Sequence, residues 1–309
     1  MEIIFQSRCM QGVLAMARRY AASSANVLIC GESGTGKELV ARYIHDQSPR
    51  AVQEYRVVNC AAVSTSLAES ELFGHEQGAF TSADRQHRGH LEMTEDGTLF
   101  LDEVGELPLS IQAKLLRVVE SGEYYRVGGT RRYEFHSRIV AATNRDLQQH
   151  VEDRLFREDL LHRLNVLPIR IPPLRERPRD IPPLVSHFVR QFSAESRQGV
   201  DGVSKETMER LYAYSWPGNV RELRNVIHRA CVLADTRTIS DCELPAERRE
   251  PQLLPPEFAT LPLDDIERHV ILARIEQFQG NKTAAAAALG VSSRTLRNKM
   301  ARYREERAA

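Results

Sequence analysis

The sequence predicts an α/β fold: a parallel sheet covered by helices, with a phosphate-binding loop behind its first strand, then a helical segment and a small all-α unit. Three observations carry this expectation. Short apolar runs alternate with helical patterns up to about residue 172. A Gly-x-x-x-x-Gly-Lys segment separates the first of these runs from the helix behind it. Residues 263–309 carry helical spacing punctuated by single glycines, after a stretch rich in proline.

Taken in order, the expected strands are Asn26 to Cys30, Arg56 to Asn59, Thr98 to Asp102, Arg138 to Thr143 and Val166 to Ile171. Five prolines between Ile171 and Pro183 cannot sit inside a helix, so a boundary is expected there. The expected division is an α/β part over 1–172, a mostly helical part over 173–245, a linker over 246–262 with Pro251, Pro255, Pro256 and Pro262, and a terminal unit over 263–309. In that unit Ile266, Val270, Ile271, Ile275 and Phe278 recur at helical spacing and Gly280 supplies a stop.

Gly31-Glu32-Ser33-Gly34-Thr35-Gly36-Lys37 lies between an apolar strand and the helical run Glu38 to His45. Glycines let backbone N–H groups turn toward phosphate oxygens, the helix N-terminus adds positive potential, and Lys37 reaches the terminal phosphates. Position 38 is Glu rather than the Ser or Thr that would contact magnesium, so metal binding must lean on another carboxylate. Thr98 to Glu103 supplies it: a buried-strand pattern delivers two acids at its end. Asp102 would hold Mg2+ and Glu103 would activate the attacking water. Asn59 and Asn144 also stand at strand C-termini, where open parallel sheets bind ligands. Each of these asparagines, taken alone, could equally be a loop cap.

With these residues in view, the chain resembles the sigma-54-dependent activators, or bacterial enhancer-binding proteins. The matching stretches are GESGTGKE at 31–38, ESELFGHEQGAFTSA at 69–83, GTLFLDEVGELP at 97–108, FREDLLHRLNVLPIRIPPLRER at 156–177 and WPGNVRELRNV at 216–226. The resemblance implies an AAA+ ATPase with a helical lid, working with ATP and Mg2+ as a homo-oligomeric ring, usually a hexamer. It implies that Arg157 and Arg163 enter the neighbouring subunit's nucleotide site as arginine fingers. It further implies that Asn144 and Arg221 sense the nucleotide, that Asn59 restrains the catalytic Glu103, and that Glu38 is the family's ordinary residue. Gly78-Ala79-Phe80-Thr81-Ser82-Ala83 corresponds to the family's GAFTGA loop, whose Phe and Thr engage sigma-54 RNA polymerase. Ser82 replaces a glycine there, and a side chain at a positive-φ position costs about 1–2 kcal/mol. That departure motivates a second reading, an ATP-binding, DNA-binding regulator acting without sigma-54.

Lys282 to Leu289 form an alanine-rich helix, Gly290 gives the turn, and Ser292 or Ser293 can cap a second helix running to about Tyr303. Leu296, Met300 and Tyr303 share one face, while Arg294, Arg297, Asn298 and Arg302 share the other. Arginine and asparagine make paired hydrogen bonds to base edges in the major groove. With Lys282, Ser293 and Thr295 they form the candidate double-stranded DNA contact set, on a unit similar to the Fis-type reader that ends these activators. Between Lys282 and Arg304 no acidic residue interrupts the basic ones, although Lys plus Arg equals Asp plus Glu at 42 each over the whole chain.

The five cysteines form no Cys-x-x-Cys pair, which argues against a zinc site or a disulfide framework. No apolar run approaches the roughly 20 residues that cross a bilayer, and no leader pattern opens the chain, so a cytoplasmic protein is expected. Because the phosphate loop starts at residue 31, no sensing domain is expected before it, and control by a regulatory protein acting in trans is expected instead.

Overall fold

The computed structural model describes residues 3–61, 65–80, 83–193, 199–245, 261–278 and 280–305. The chain divides into two compact units, Met1–Pro245 and Ala246–Ala309. The first opens with α1 (Arg8–Ala21), capped by Ser7 and burying Met10, Val13, Leu14, Ala17 and Ala21. There follow β1 (Val27–Cys30), α2 (Lys37–Asp46), β2 (Tyr55–Asn59), α3 (Thr65–Phe73), α4 (His90–Met93), β3 (Thr98–Asp102) and α5 (Leu109–Ser121). A hairpin of β4 (Glu123–Tyr125) and β5 (Arg132–Glu134) precedes β6 (Arg138–Thr143), α6 (Leu147–Glu152), α7 (Glu158–Leu164) and β7 (Leu167–Arg170).

Five strands form one parallel sheet in the order β2-β3-β6-β1-β7. Alternate residues feed the two faces, as the two-residue period of a strand requires. Leu28, Leu99, Leu101, Ile139 and Ala141 enter one core, and Val27, Ile29, Phe100, Val140 and Ala142 enter the other. Apolar contacts on both faces explain why these strands read as continuous apolar runs. The register sets Cys30 beside Thr143 and Asn59 beside Asp102, so four strand ends meet at one edge of the sheet. Arg138 enters this core with 2% exposure because its guanidinium donates to the carbonyls of Tyr20 and Ala21 at the end of α1 and of Ala25 in the loop after it.

Beyond β7 lie α8 (Ile181–Phe192), β8 (Gly202–Val203), α9 (Lys205–Ala213), α10 (Asn219–Leu233) and β9 (Thr238–Ile239), gathered on a separate core that includes Leu174, Phe188, Trp216 and Leu223. Pro182 and Pro183 fall in the first turn of α8, where a missing N–H costs nothing. In the second unit α11 (Leu263–Gln277), α12 (Lys282–Ala288) and α13 (Ser293–Glu305) enclose Ile271, Ala285, Ala286, Leu296 and Tyr303.

The five expected strands are all present, with ends shifted by at most one residue. The β4–β5 hairpin and the two-residue pair β8–β9 were not expected, since elements that short carry no periodicity to read. Val270, on the expected apolar face of α11, is 44% exposed, whereas Ile271 next to it is buried. The linker expected over 246–262 lies almost wholly outside the described residues. Among the described residues no helix is long and apolar enough to cross a membrane.

Candidate functional site

The chain leaves β1 at the sheet edge and turns through Gly34 (φ 78°) and Gly36 (φ 101°) before α2 starts at Lys37. Lys37 is 7% exposed, and its Nζ lies 3.0 Å from the Gly31 carbonyl and 3.2 Å from Glu103 Oε1. Glu103 itself sits at φ 53°, ψ 49°, a left-handed conformation that costs a residue with a Cβ about 1–2 kcal/mol. Its other oxygen, Oε2, accepts the Asn144 backbone N–H at 3.0 Å. Lys37, Glu103 and Asn144 therefore converge although they come from three different stretches of chain. Strained backbone of this kind clusters at functional sites, and here the carboxylate is aimed by a cation and an amide.

Asp102 Oδ1 accepts the Glu103 N–H at 3.1 Å. Burial pushes the Asp102 carboxyl above its ordinary range, the Glu103 charge adds to this, and Lys37 opposes it. Glu38 is exposed on the first turn of α2, and its charge also raises Asp102. Asn59 stands opposite Asp102 in the strand register, but its Oδ1 accepts the Ala61 N–H at 2.9 Å. The structure shows no hydrogen bond between Asn59 and Glu103, so the restraint implied by resemblance is not made in this state. Cys60, next in line, is buried, and burial pushes its thiol up to about 12, with the Asp102 and Glu103 charges adding to this.

From the other side, the α8–α10 part closes on the same loop. Arg175 grips the Glu32 carboxylate with two hydrogen bonds, at 2.8 and 2.6 Å. Asn219 Nδ2 donates to Glu32 Oε2 and to the Ser33 carbonyl, both at 3.1 Å. Arg221 reaches Ser33 Oγ at 2.8 Å, the Val220 N–H reaches the Gly34 carbonyl at 3.0 Å, and Arg177 reaches the Thr35 carbonyl at 2.8 Å. Glu32 was expected among the nucleotide-binding residues, yet its carboxylate is turned toward Arg175 and Asn219. Arg175, Arg177 and Asn219 were not singled out in the sequence, although they stand within the LRER and WPGNVRE stretches. Beside Thr35 and Gly36 an apolar cavity is walled by Ile3, Met10, Leu39, Leu184, Phe188 and Val220.

At a second location, in the segment that carries Gly78 and Phe80, the Gly78 N–H donates to the Ala83 carbonyl and the Ala83 N–H to the Phe80 carbonyl, both at 2.9 Å, with Gly78 exposed and Ala83 buried. Phe80 is 39% exposed and meets the edge of the His75 ring at 4.9 Å. Ala79 and Gly78 are described, whereas the expected contacts Thr81 and Ser82 lie outside the described residues. The base of this segment is tied to the β4–β5 hairpin. The Glu76 N–H donates to the Val127 carbonyl at 3.0 Å, and the Val127 N–H donates to Gly74 at 2.9 Å. Buried Arg126 locks that junction, bonding Glu76 at 3.0 Å and Glu92 at 2.6 Å and lying over the Tyr133 ring.

Arg157 and Arg163 lie at the two ends of α7. Arg157 pairs with Asp159 at 2.7 Å and Arg163 with Glu120 at 3.1 Å, and both side chains are more than 40% exposed. Neither guanidinium bonds Lys37, Asp102, Glu103 or the phosphate loop of its own chain.

In the second unit Asn281 caps α12, and Ser292, not Ser293, caps α13, its Oγ accepting the Thr295 N–H at 3.0 Å. Leu296 and Tyr303 are buried as expected. Arg294, Thr295, Arg297 and Asn298 are exposed, Lys282 is exposed on α12, and Ser293 is half-buried. Arg302, expected among the free basic side chains, bonds Asp264 of α11 at 3.0 Å, and Lys299 bonds Glu267 at 2.7 Å. The basic stretch is thus partly neutralised by α11, and the exposed reading surface narrows to the start of α13.

Comparison with known proteins places this architecture. Residues 3–170 match the sigma-54 interaction domain, residues 175–257 the AAA+ ATPase lid domain, and residues 262–303 the bacterial regulatory protein, Fis family. Regulatory protein AtoC of Escherichia coli K12 is 45% identical over 310 aligned residues, spanning 97% of this chain and 67% of AtoC. DNA-binding transcriptional activator HyfR of the same organism is 50% identical over 82% of this chain and 38% of its own length. Among solved structures, NtrX from Brucella abortus in complex with ATP superposes with a TM-score of 0.70 at 36% identity, covering 97% of this chain and 68% of NtrX. A sheet of AAA+ type, a lid and a Fis-type helix-turn-helix follow one another along a single polypeptide, and the chain therefore belongs to the sigma-54-dependent transcriptional activators.

Proposed function

We propose that this activator binds ATP on the Gly31–Lys37 loop, hydrolyses it at the boundary between subunits of a hexameric ring, and uses the cycle to drive Phe80 against the sigma-54 RNA polymerase holoenzyme. The observation that carries the proposal is the convergence of Lys37, Glu103 and the Asn144 amide within 3.2 Å at the C-terminal ends of the parallel strands. Lys37 is placed to leave Glu103 for the terminal phosphates, and Glu103 is then free to take a proton from the attacking water. Arg221 is within reach of the same loop through Ser33, and a cavity lined by Leu39, Phe188 and Val220 adjoins Gly36. NtrX has been solved with ATP and with ADP, which supports the same ligand class here.

The donor set fits Mg2+ at Asp102. That carboxylate is half-buried, and the charges of Glu103 and Glu38 disfavour its ionised form. A divalent cation relieves that cost and supplies charge neutralisation on the phosphates. Arg157 and Arg163 are exposed at the ends of α7, as residues that act on a neighbour would be. The exposed Arg294, Arg297 and Asn298 on α13 are proposed to read an upstream double-stranded DNA site. A steady-state ATPase assay over a range of protein concentrations tests the enzymatic part. The rate per subunit is expected to rise as rings assemble, and Lys37→Ala is expected to lose roughly 100-fold or more, as phosphoryl transfer depends on charge stabilisation. A rate per subunit independent of concentration, or unaffected by Lys37→Ala, would contradict it.

A further inference from the structure

Four consecutive residues of the phosphate loop, Glu32, Ser33, Gly34 and Thr35, are each hydrogen-bonded by a residue from the Leu174–Leu233 region. The centre of this set is Asn219. It is fully buried and stands at φ 53°, a conformation Asn tolerates better than other residues with a Cβ. Its Nδ2 gives two bonds to the loop, and its Oδ1 accepts the buried Leu174 N–H at 2.7 Å. Only a short amide that accepts left-handed backbone and offers both donors and an acceptor fits that place. Arg175, one residue after Leu174, completes the grip on Glu32 from the other side.

We propose that Glu32, Arg175 and Asn219 form a latch that couples occupancy of the phosphate loop to the position of the lid, and that Glu32 is a positioning residue with no contact of its own to nucleotide. The proposal rests on the ATP-binding reading above and deepens it. The latch fixes Gly218–Asn219 against the loop, and Arg221 follows two residues later in α10. Arg221 therefore rests on Ser33 Oγ in this state and is already aimed at the site where a terminal phosphate arrives. Loss of the Glu32 anchor leaves Arg221 without a defined origin, so affinity falls although no nucleotide contact has been removed. The Glu32 carboxyl is held below the ordinary carboxylate range, first by its hydrogen bonds to Arg175, which agrees with a formed pair.

Trp216 is the only tryptophan of the chain, and it is buried three residues before Asn219, so its fluorescence reports on the latch. The test titrates the full chain with ATP and with a nonhydrolysable ATP analogue, reading Trp216 emission and affinity, for the unaltered protein and for Glu32→Gln, Arg175→Met and their double variant. Glu32 and Arg175 are 41% and 46% exposed, so these substitutions leave the core intact, which thermal melts check. Each single change is expected to weaken nucleotide binding roughly tenfold and to blunt the emission response, and the double is expected to be no worse than either single. Asn219→Asp, nearly isosteric but repelled by Glu32 and the Ser33 carbonyl, is expected to show the same loss. Unchanged affinity in Arg175→Met, or losses that multiply in the double variant, would overturn the latch. Failure of the unaltered chain to bind ATP would overturn the nucleotide reading with it, so the two failures are distinguishable.

Discussion

Replacing Glu103 with alanine is expected to lower ATP turnover by about two to four orders of magnitude, the usual contribution of a positioned general base, while ATP still binds. Three features of the structure set this size. The carboxylate is held at both oxygens, by Lys37 and by the Asn144 N–H, so it is oriented before substrate arrives. It stands in a left-handed backbone conformation that folding alone has no reason to keep. It follows Asp102, whose Oδ1 accepts the Glu103 N–H, so the two acids are adjacent but face different partners. Because Glu103 carries local strain, Glu103→Gly is expected to melt no lower than Glu103→Ala, which loses the same Lys37 pair, again with turnover lost. Measured kcat and ATP affinity for the two variants, with thermal melts, check the expectation. Turnover within a few-fold of the unaltered chain would remove Glu103 from the catalytic role.

Arg157→Ala and Arg163→Ala are expected to cost on the order of 1,000-fold in kcat, the scale of an arginine finger, despite the exposure of both side chains. Their ion pairs with Asp159 and Glu120 are exposed, and surface pairs of this kind contribute little to stability. Each variant should therefore melt close to the unaltered chain and fail only in catalysis. Action in trans gives a sharper signature. Mixing Arg157→Ala subunits with Lys37→Ala subunits, each inactive alone, places an intact finger against an intact phosphate loop at roughly one boundary in four of a randomly assembled ring. Activity is expected to return at about that fraction. A mixture as inactive as its components would place Arg157 in its own subunit's chemistry or in none.

Much of the site could be read from sequence because its chemistry is local. Gly31 to Lys37 carries the phosphate loop in seven adjacent residues, and Thr98 to Glu103 writes a buried strand and its terminal acids in six. The helix-turn-helix was equally plain, since Gly290 and the Ser292 cap act over four residues. What was not legible depends on long-range closure. Arg175 meets Glu32 across 143 positions and Asn219 meets it across 187, and no pattern in either neighbourhood encodes such a meeting. Arg126 is a similar case: a charged residue between tyrosine and valine reads as a solvated strand position, yet it is buried on Glu76 and Glu92. The pairing of Arg302 with Asp264 is of the same kind, since a basic stretch read along one helix carries no sign of the acids that open another. Glu32 was expected to bind nucleotide as a member of the Gly31–Lys37 loop, and the structure turns its carboxylate toward Arg175 and Asn219.

Open-complex formation at a promoter served by sigma-54 polymerase, measured with purified components, tests the coupling of hydrolysis to activation most directly. With ATP the unaltered protein is expected to open the promoter, and with a nonhydrolysable analogue, or with Phe80→Ala and ATP, it is expected to leave the promoter closed. Equal opening with the analogue, or opening by a polymerase that lacks sigma-54, would contradict the account.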